Sequence, residues 1–214
     1  MIPAIFKGLC PNCGSDIVSE RLEKGLPCEK CLPSLELKYP VIEGFLVKVW
    51  NVEEHVNEIN KLFIKAIGSK MWGLQRLWAR RFLNGESFAM VAPTGSGKTT
   101  AQIIFGLYAS AKYGRRVLIL LPTSLLVHQV QNKVIEIRSK LGLDDVKVAA
   151  YHSLLSEKQK QMELATMNEA SIIITTPISL MKRKELQQKI DIAFIDDVDS
   201  FLRRSKSVDV VLKM

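Results

Sequence analysis

The run Ala92-Pro93-Thr94-Gly95-Ser96-Gly97-Lys98-Thr99 constrains this chain more than any other segment. It follows an apolar stretch, Phe88 to Val91, that reads as a buried strand, and it opens a helix continuing from Lys98 to about Tyr113. Glycines in such a turn let backbone N–H groups curl around phosphate oxygens with no Cβ in the way. The helix N-terminus adds partial positive charge. Lys98 is placed to reach the β and γ phosphates, and Thr99 to offer its hydroxyl to Mg2+. Thr94, Gly95, Ser96, Gly97 and Thr100 complete the expected cradle. The strand-before, helix-after context separates it from a chance loop of Gly, Ser and Thr.

Beyond the loop, apolar runs alternate with helical periods. Val117 to Leu121, Val146 to Tyr151, Ile172 to Thr175 and Ile192 to Ile195 read as strands, with helices over Ser124 to Leu141 and Leu155 to Met167. Short strands alternating with helices predict an α/β fold, a mainly parallel, doubly wound sheet. Upstream, two helices are expected. Asn51 reads as the N-cap of the first, Val52, Val56, Ile59, Phe63 and Ile67 fall near one face, and Gly68 ends it. The second runs from Met71 to Phe82, with Trp72 and Trp78 as core, before the Asn84-Gly85 turn. No internal repeat is present. His55, His128 and His152 read as isolated surface or packing residues.

The strand at Ile192 to Ile195 ends in Asp196-Asp197-Val198-Asp199. An acid at the carboxyl end of a strand beside a phosphate loop can hold Mg2+ through its water shell, and Asp196 is the candidate. Asp197 is the candidate to polarise an attacking water, and Asp199 to couple ligand state to neighbouring segments. The competing reading is a helix N-cap with surface acids.

Cys10, Cys13, Cys28 and Cys31 form a C-x2-C-x14-C-x2-C pattern. Two residues between thiolates let both sulfurs face one ion, and two such knuckles complete a tetrahedron. Gly14 and Gly25 help the chain turn beside it. The pattern predicts a closed, structural Zn2+ site, against an iron–sulfur cluster or a redox pair; a redox pair would sit at the end of a strand in a βαβ unit. Lys7, Arg21 and Lys24 are expected to be available to DNA from this module.

The balance of 30 Lys plus Arg against 22 Asp plus Glu, a formal charge of +8, favours polyanion partners, nucleic acid first. No stretch is long and apolar enough to span a bilayer, and no secretory signal precedes the cysteines. The expected location is the cytoplasm, with no membrane partner. The expected organisation is a four-cysteine module over 1–40, a helical linker over 41–84 and a phosphate-binding lobe over 85–214.

Several segments carry a resemblance. Pro122-Thr123-Ser124-Leu125-Leu126-Val127-His128-Gln129 resembles the "PTRELxxQ" segment of superfamily 2 helicases, and Thr176-Pro177-Ile178-Ser179-Leu180 resembles "TPGRL". Asp196-Asp197-Val198-Asp199 takes the place of "DEAD", and Gln75 that of the family's adenine-reading glutamine. Ala92, where the general loop pattern has Gly, is common in such motors. The resemblance covers about Met71 to Leu202. It implies a RecA-like lobe that binds ATP, with Thr123 and Thr176 contacting a nucleic-acid backbone; read alone, both are ordinary loop threonines bonding locally. Asp197 stands where most of that family has Glu, one methylene longer, which implies slow hydrolysis.

A four-cysteine, zinc-ribbon-like module directly ahead of such a motor, together with the runs Ser19 to Cys28 and Ala92 to Thr100, resembles the reverse gyrase family. That resemblance implies an ATP-dependent DNA topoisomerase that couples hydrolysis to positive supercoiling. ATP, Mg2+ and Zn2+ would be its cofactors. DNA would be its partner, along with a second RecA-like lobe and a topoisomerase module of the same parent chain. The lobe alone is then expected to bind nucleotide and barely turn it over. A superfamily 2 DNA or RNA helicase and a non-catalytic, zinc-containing nucleic-acid-binding module remain the alternative readings.

Overall fold

The computed structural model describes residues 3–33, 45–182, 189–198 and 200, with 45–50 described in backbone alone. Asp199 lies outside these residues. The chain divides into two compact units, Met1–Glu58 with Arg80–Ser87, and Ile59–Ala79 with Phe88–Met214.

In the first unit, β1 (Ile5–Phe6) pairs antiparallel with β2 (Ile17–Val18), Ile5 opposite Val18. A single turn of helix, α1 (Ser19–Glu23), follows. The apolar cluster here is Cys10, Ile17, Cys28 and Cys31, with Leu22 against it, and Leu26 and Leu32 are also buried. So few apolar side chains cannot outweigh the chain entropy of ordering the segment, so a covalent or metal staple is needed.

Two longer helices pass through both units, α2 (Phe45–Ile67) and α3 (Gly73–Leu83). The sequence expectation of Asn51 as an N-cap fails. Phe45 to Trp50 contains no helix-breaking residue, so the helix begins there and Asn51 lies inside it. Val56, Ile59 and Phe63 are fully buried on one face, and Gly68, at φ +74°, ends the helix with its N–H on the Ile64 carbonyl. Trp78 is buried as expected. Trp72, one residue ahead of α3, is about half exposed and meets Trp78 edge-on.

The second unit is built on four parallel strands, β3 (Val117–Leu120), β4 (Val148–Tyr151), β5 (Ile172–Thr175) and β6 (Ile192–Ile195), in the order β4-β5-β3-β6. Val117 pairs with Ile172 on one side and Ile192 on the other. The helices are α4 (Lys98–Tyr113), α5 (Ser124–Leu141), α6 (Glu157–Met167) and α7 (Pro177–Lys182). Because successive strand side chains alternate, Leu118, Leu120, Ala149, Tyr151 and Ile173 line one face and pack on Met167 of α6 and Leu180 of α7. Val117 and Phe194 face Gly106 of α4. Each helix has local reasons to stop and start: Thr123 caps α5, Ser156 and Gln159 form a reciprocal cap on α6, and Gly114 and Gly142 turn left-handed after α4 and α5.

One strand expectation is corrected. Phe88 to Val91 joins no ladder among the described residues: Val91 is 83% exposed and Ala89 is also exposed, while Phe88 and Met90 are half-buried. An apolar run can cover a surface with alternate side chains without pairing its backbone, and this one does. The histidines also differ from expectation. His128 and His152 are not isolated, since their rings meet edge-on with centroids 6.3 Å apart. Helix α5 and the end of β4 converge there, bridged also by the Ser124 and Ser153 hydroxyls at 2.9 Å. No helix among the described residues is long and apolar enough to cross a membrane.

Two stability outcomes follow from this packing. A Cβ on Gly106 would lie 3.3 Å from Val117 Cγ1 and 3.7 Å from the Phe194 ring. Gly106→Val adds two further methyl groups there, so it should destabilise by about 1–3 kcal/mol in denaturant unfolding, with Gly106→Ala close to neutral. His152, only 3% exposed, has its imidazole held below the ordinary value, first by burial and then by His128. The folded state therefore favours the neutral ring. Stability is full above the unfolded histidine value of about 6.5 and declines as pH falls below it. His152→Gln should flatten that loss when denaturant midpoints are compared at pH 8 and pH 5; an unchanged slope would place the acid sensitivity elsewhere.

Candidate phosphate site and metal centre

The sheet's parallel register brings the carboxyl end of β6 against the start of α4. There Thr99 Oγ1 donates to Asp196 Oδ2 at 2.9 Å, across 97 residues of sequence. Asp196 is held in place by its own N–H on the Leu120 carbonyl of β3. The residue types expected to share a divalent cation thus touch one another directly.

The loop between is shaped by its glycines. Gly95 and Gly97 both sit at φ +80°, which other residues rarely adopt. Any Cβ at Gly97 would lie 2.8 Å from Gln75 Nε2, so only glycine fits. Gln75 is buried against the loop, its amide nitrogen on the Ser96 carbonyl at 3.4 Å and its oxygen on the Trp72 N–H at 3.3 Å. Lys98 Nζ closes the loop by donating to the Ala92 carbonyl at 2.7 Å and the Pro93 carbonyl at 3.0 Å. Ser96 Oγ is buried without a hydrogen-bond partner, a donor and acceptor that a phosphate oxygen would satisfy. Thr94 is exposed at the loop's rim. Thr100 points elsewhere: its hydroxyl accepts from Lys133 Nζ of α5 at 2.7 Å.

Asp197 is exposed and is the sole non-glycine residue with positive φ among those described, at +53°. Its carboxylate accepts from the Ser200 hydroxyl. Thr123 and Thr176 both cap helices. Thr123 Oγ1 accepts from Leu126 N at 3.3 Å and is exposed; Thr176 is buried, donates to Ser179 Oγ at 3.0 Å and accepts from Ser179 N at 3.3 Å.

In the first unit the four cysteine sulfurs all lie within 4.8 Å of one another. Cys13 and Cys28 are 3.6 Å apart and Cys28 and Cys31 3.7 Å apart. A tetrahedron with Zn–S bonds of about 2.3 Å has edges of about 3.8 Å, so the sulfurs stand where such an ion needs them. None is in a disulfide. Cys28 N donates to Cys10 Sγ at 3.3 Å, the kind of bond that stabilises a thiolate. The crowding splits the thiols. Hydrogen bonds from Ser15 draw Cys13 down to about 6, while burial pushes Cys31 up to about 12. A divalent cation resolves that conflict by holding all four as thiolates.

Sequence reasoning placed Arg21 among residues available to DNA, and this is corrected: Arg21 is 4% exposed and donates to two backbone carbonyls. Lys24 is paired with Glu20 at 2.8 Å, and Lys7 is exposed. The sequence gives no sign of the Lys133–Thr100 and His128–His152 contacts, because both join residues distant along the chain.

Comparison with known proteins agrees with both halves of this description. The reverse gyrase zinc finger family matches residues 1–39, and the DEAD/DEAH box helicase family matches residues 73–213. A reverse gyrase of Pyrobaculum aerophilum is 43% identical over 225 residues, covering 96% of this chain and 18% of that protein. Reverse gyrase 1 of Aquifex aeolicus is 40% identical, covering 99% of this chain and 19% of that one, and the reverse gyrase of Methanocaldococcus jannaschii 39% identical, covering 100% and 14%. The chain thus spans less than a fifth of the length of these relatives. Among solved structures, a hypothetical ATP-dependent RNA helicase from Sulfolobus tokodaii superposes with a TM-score of 0.58 at 26% identity, over 72% of this chain and 45% of that one. A DEAD box protein from Methanococcus jannaschii shares the RecA-like fold, with a TM-score of 0.58 at 23% identity over 72% and 43%. With a zinc-finger segment ahead of a helicase-like lobe, and reverse gyrases alike along nearly its whole length, the chain belongs to the DEAD/DEAH box helicase family.

Proposed function

We propose that the second unit binds ATP with Mg2+ and serves as the first motor lobe of a reverse gyrase, coupling hydrolysis to positive supercoiling of DNA by a longer parent polypeptide. The observation that carries this reading is the 2.9 Å bond between Thr99 and Asp196 beside a loop with an unpartnered Ser96 hydroxyl. Gly95, Ser96 and Gly97 would surround the phosphates, Lys98 would leave the Ala92 and Pro93 carbonyls for phosphate oxygens, and Thr99 and Asp196 would hold the cation. That cation would supply charge neutralisation on the transferred phosphoryl group. Gln75, braced against the loop, would read the base. Asp197 would orient the attacking water once its carboxylate leaves Ser200. Its shorter reach than Glu supports slow turnover.

DNA binding is part of the same proposal. The surplus of positive charge, +8 in all, supports a polyanion partner. Thr123, exposed at the start of α5, supports a backbone contact more directly than the buried Thr176, whose proton is already donated to Ser179. A second motor lobe and a topoisomerase module of the parent chain are the partners that the relatives' greater length supports. Zn2+ in the four-cysteine site is structural on this reading, since a closed tetrathiolate leaves no open position.

Binding of a fluorescent ATP analogue tests the proposal. A charge-assisted bond to phosphate contributes about 1.5–3 kcal/mol, so Lys98→Ala should weaken binding about 10- to 100-fold. Equal affinity in wild type and variant would mean that nucleotide does not sit on this loop.

A further inference from the structure

Arg21 is a buried cation whose one ion pair among the described residues is long and reaches an exposed carboxylate. Its side chain is 5% exposed, on the short helix α1. Nη1 donates to the Pro27 carbonyl at 3.1 Å and to the Leu32 carbonyl at 2.8 Å, both neutral acceptors. The carboxylates around it are poorly placed to neutralise it. Glu29 Oε1 is 3.9 Å from Nε and its side chain is 77% exposed. Glu20 is exposed and bonded to Lys24. Asp16, which lines the same cavity as Arg21, spends Oδ1 on the Gly8 N–H. Burying a guanidinium costs several kcal/mol unless a charge of opposite sign lies close by.

The acceptors themselves belong to the second cysteine knuckle. Pro27 immediately precedes Cys28 and Leu32 immediately follows Cys31, so the guanidinium grips both ends of the second knuckle. Inside this grip, the Cys28 carbonyl accepts from the N–H groups of Cys31 and Leu32 at 3.1 and 3.0 Å. Four thiolates around one divalent ion carry a net charge of about −2. Lys30 lies at the knuckle, but its side chain is exposed.

We infer that Arg21 is the counter-ion and positioning residue of the four-cysteine centre: its charge offsets the tetrathiolate, and the two N–H bonds of its Nη1 tie together the ends of the knuckle that carries Cys28 and Cys31. The inference rests on the reading of that centre as a Zn2+ site. Two properties of Arg21 are separable. Lysine keeps the charge and loses the planar fork; glutamine loses the charge and keeps one amide donor.

The test uses the whole chain loaded with Co2+ or Zn2+. Partners outside the ligand set typically shift metal affinity 10- to 100-fold. Zn2+ release to a chromogenic chelator should therefore be about 10-fold faster in Arg21→Lys and about 100-fold faster in Arg21→Gln than in wild type. At saturating Co2+, both variants should still show the intense absorption of a tetrahedral four-thiolate site, because the sulfurs remain able to assemble. Release from Arg21→Gln at the wild-type rate would overturn the inference. So would equal release from the two variants, which would leave no part for the charge. Loss of the four-thiolate spectrum in both variants would also overturn it, since Arg21 would then be holding the module's fold. Absence of that spectrum in the wild type would instead overturn the metal reading on which the inference stands.

Discussion

The Thr99 hydroxyl and the Asp196 carboxylate meet at 2.9 Å because two independent features of the second unit agree. One is the parallel register of β3, β5 and β6, which puts all carboxyl ends at one rim. The other is the left-handed pair Gly95 and Gly97, which turns the chain so that α4 starts at that rim. If either failed, the bond would be lost. A one-residue slip of β6 would turn Asp196 to the other face of the sheet, and a side chain at Gly97 would collide with Gln75. The central strands are buried throughout and apolar but for Thr175, so burial specifies the register strongly, and the polar site inherits its accuracy from the core beneath it.

The first unit solves a different problem. It has too little apolar surface to hold itself, and three of the four cysteines are themselves core residues, packed with Ile17. Ligand and core are therefore the same atoms. Metal binding and folding become one equilibrium in such a site, and the free energy of coordination substitutes for missing hydrophobic burial. That coupling also explains a buried arginine in so small a module: the net charge of the centre has to be answered from within, because the apolar neighbours offer no dielectric relief.

Much of this was legible in the residue order, for reasons that can be named. The phosphate loop and the cysteine quartet are local patterns whose chemistry requires fixed spacing, so Lys98, Thr99 and the four sulfurs stand where spacing put them. Strands β5 and β6 were legible because β-branched runs bounded by polar residues leave little choice. Asp196 was legible because it ends such a run. Less was legible where apolarity had two uses. Phe88 to Val91 is as apolar as β3 yet joins no ladder among the described residues, with Ala89 and Val91 exposed. Arg21 looked like a surface charge because nothing in its neighbours announces that two carbonyls, from Pro27 and Leu32, converge on it. His128 and His152 meet only after α5 and β4 have packed. The short helix α7 was missed because its six residues are fewer than the periodicity of any amphipathic pattern needs.

The loop at Gly95 to Gly97 is also braced by a side chain from outside it. Gln75 spans from the Trp72 N–H at the start of α3 to the Ser96 carbonyl of the loop. A Cβ on Gly97 would lie 2.8 Å from its Nε2, so the glycine lets the two approach. From the opposite side Lys133 of α5 bonds Thr100, one residue beyond Thr99. The loop is thus tied to α3, and the first turn of α4 to α5, by polar bonds partly shielded from water, where such bonds are stronger than at a surface. Helix α5 begins at Thr123, at the carboxyl rim of the sheet, and α3 begins beside the exposed Trp72. The placement of the loop and of the start of α4 therefore rests on α3 and α5 as well as on the loop's own glycines.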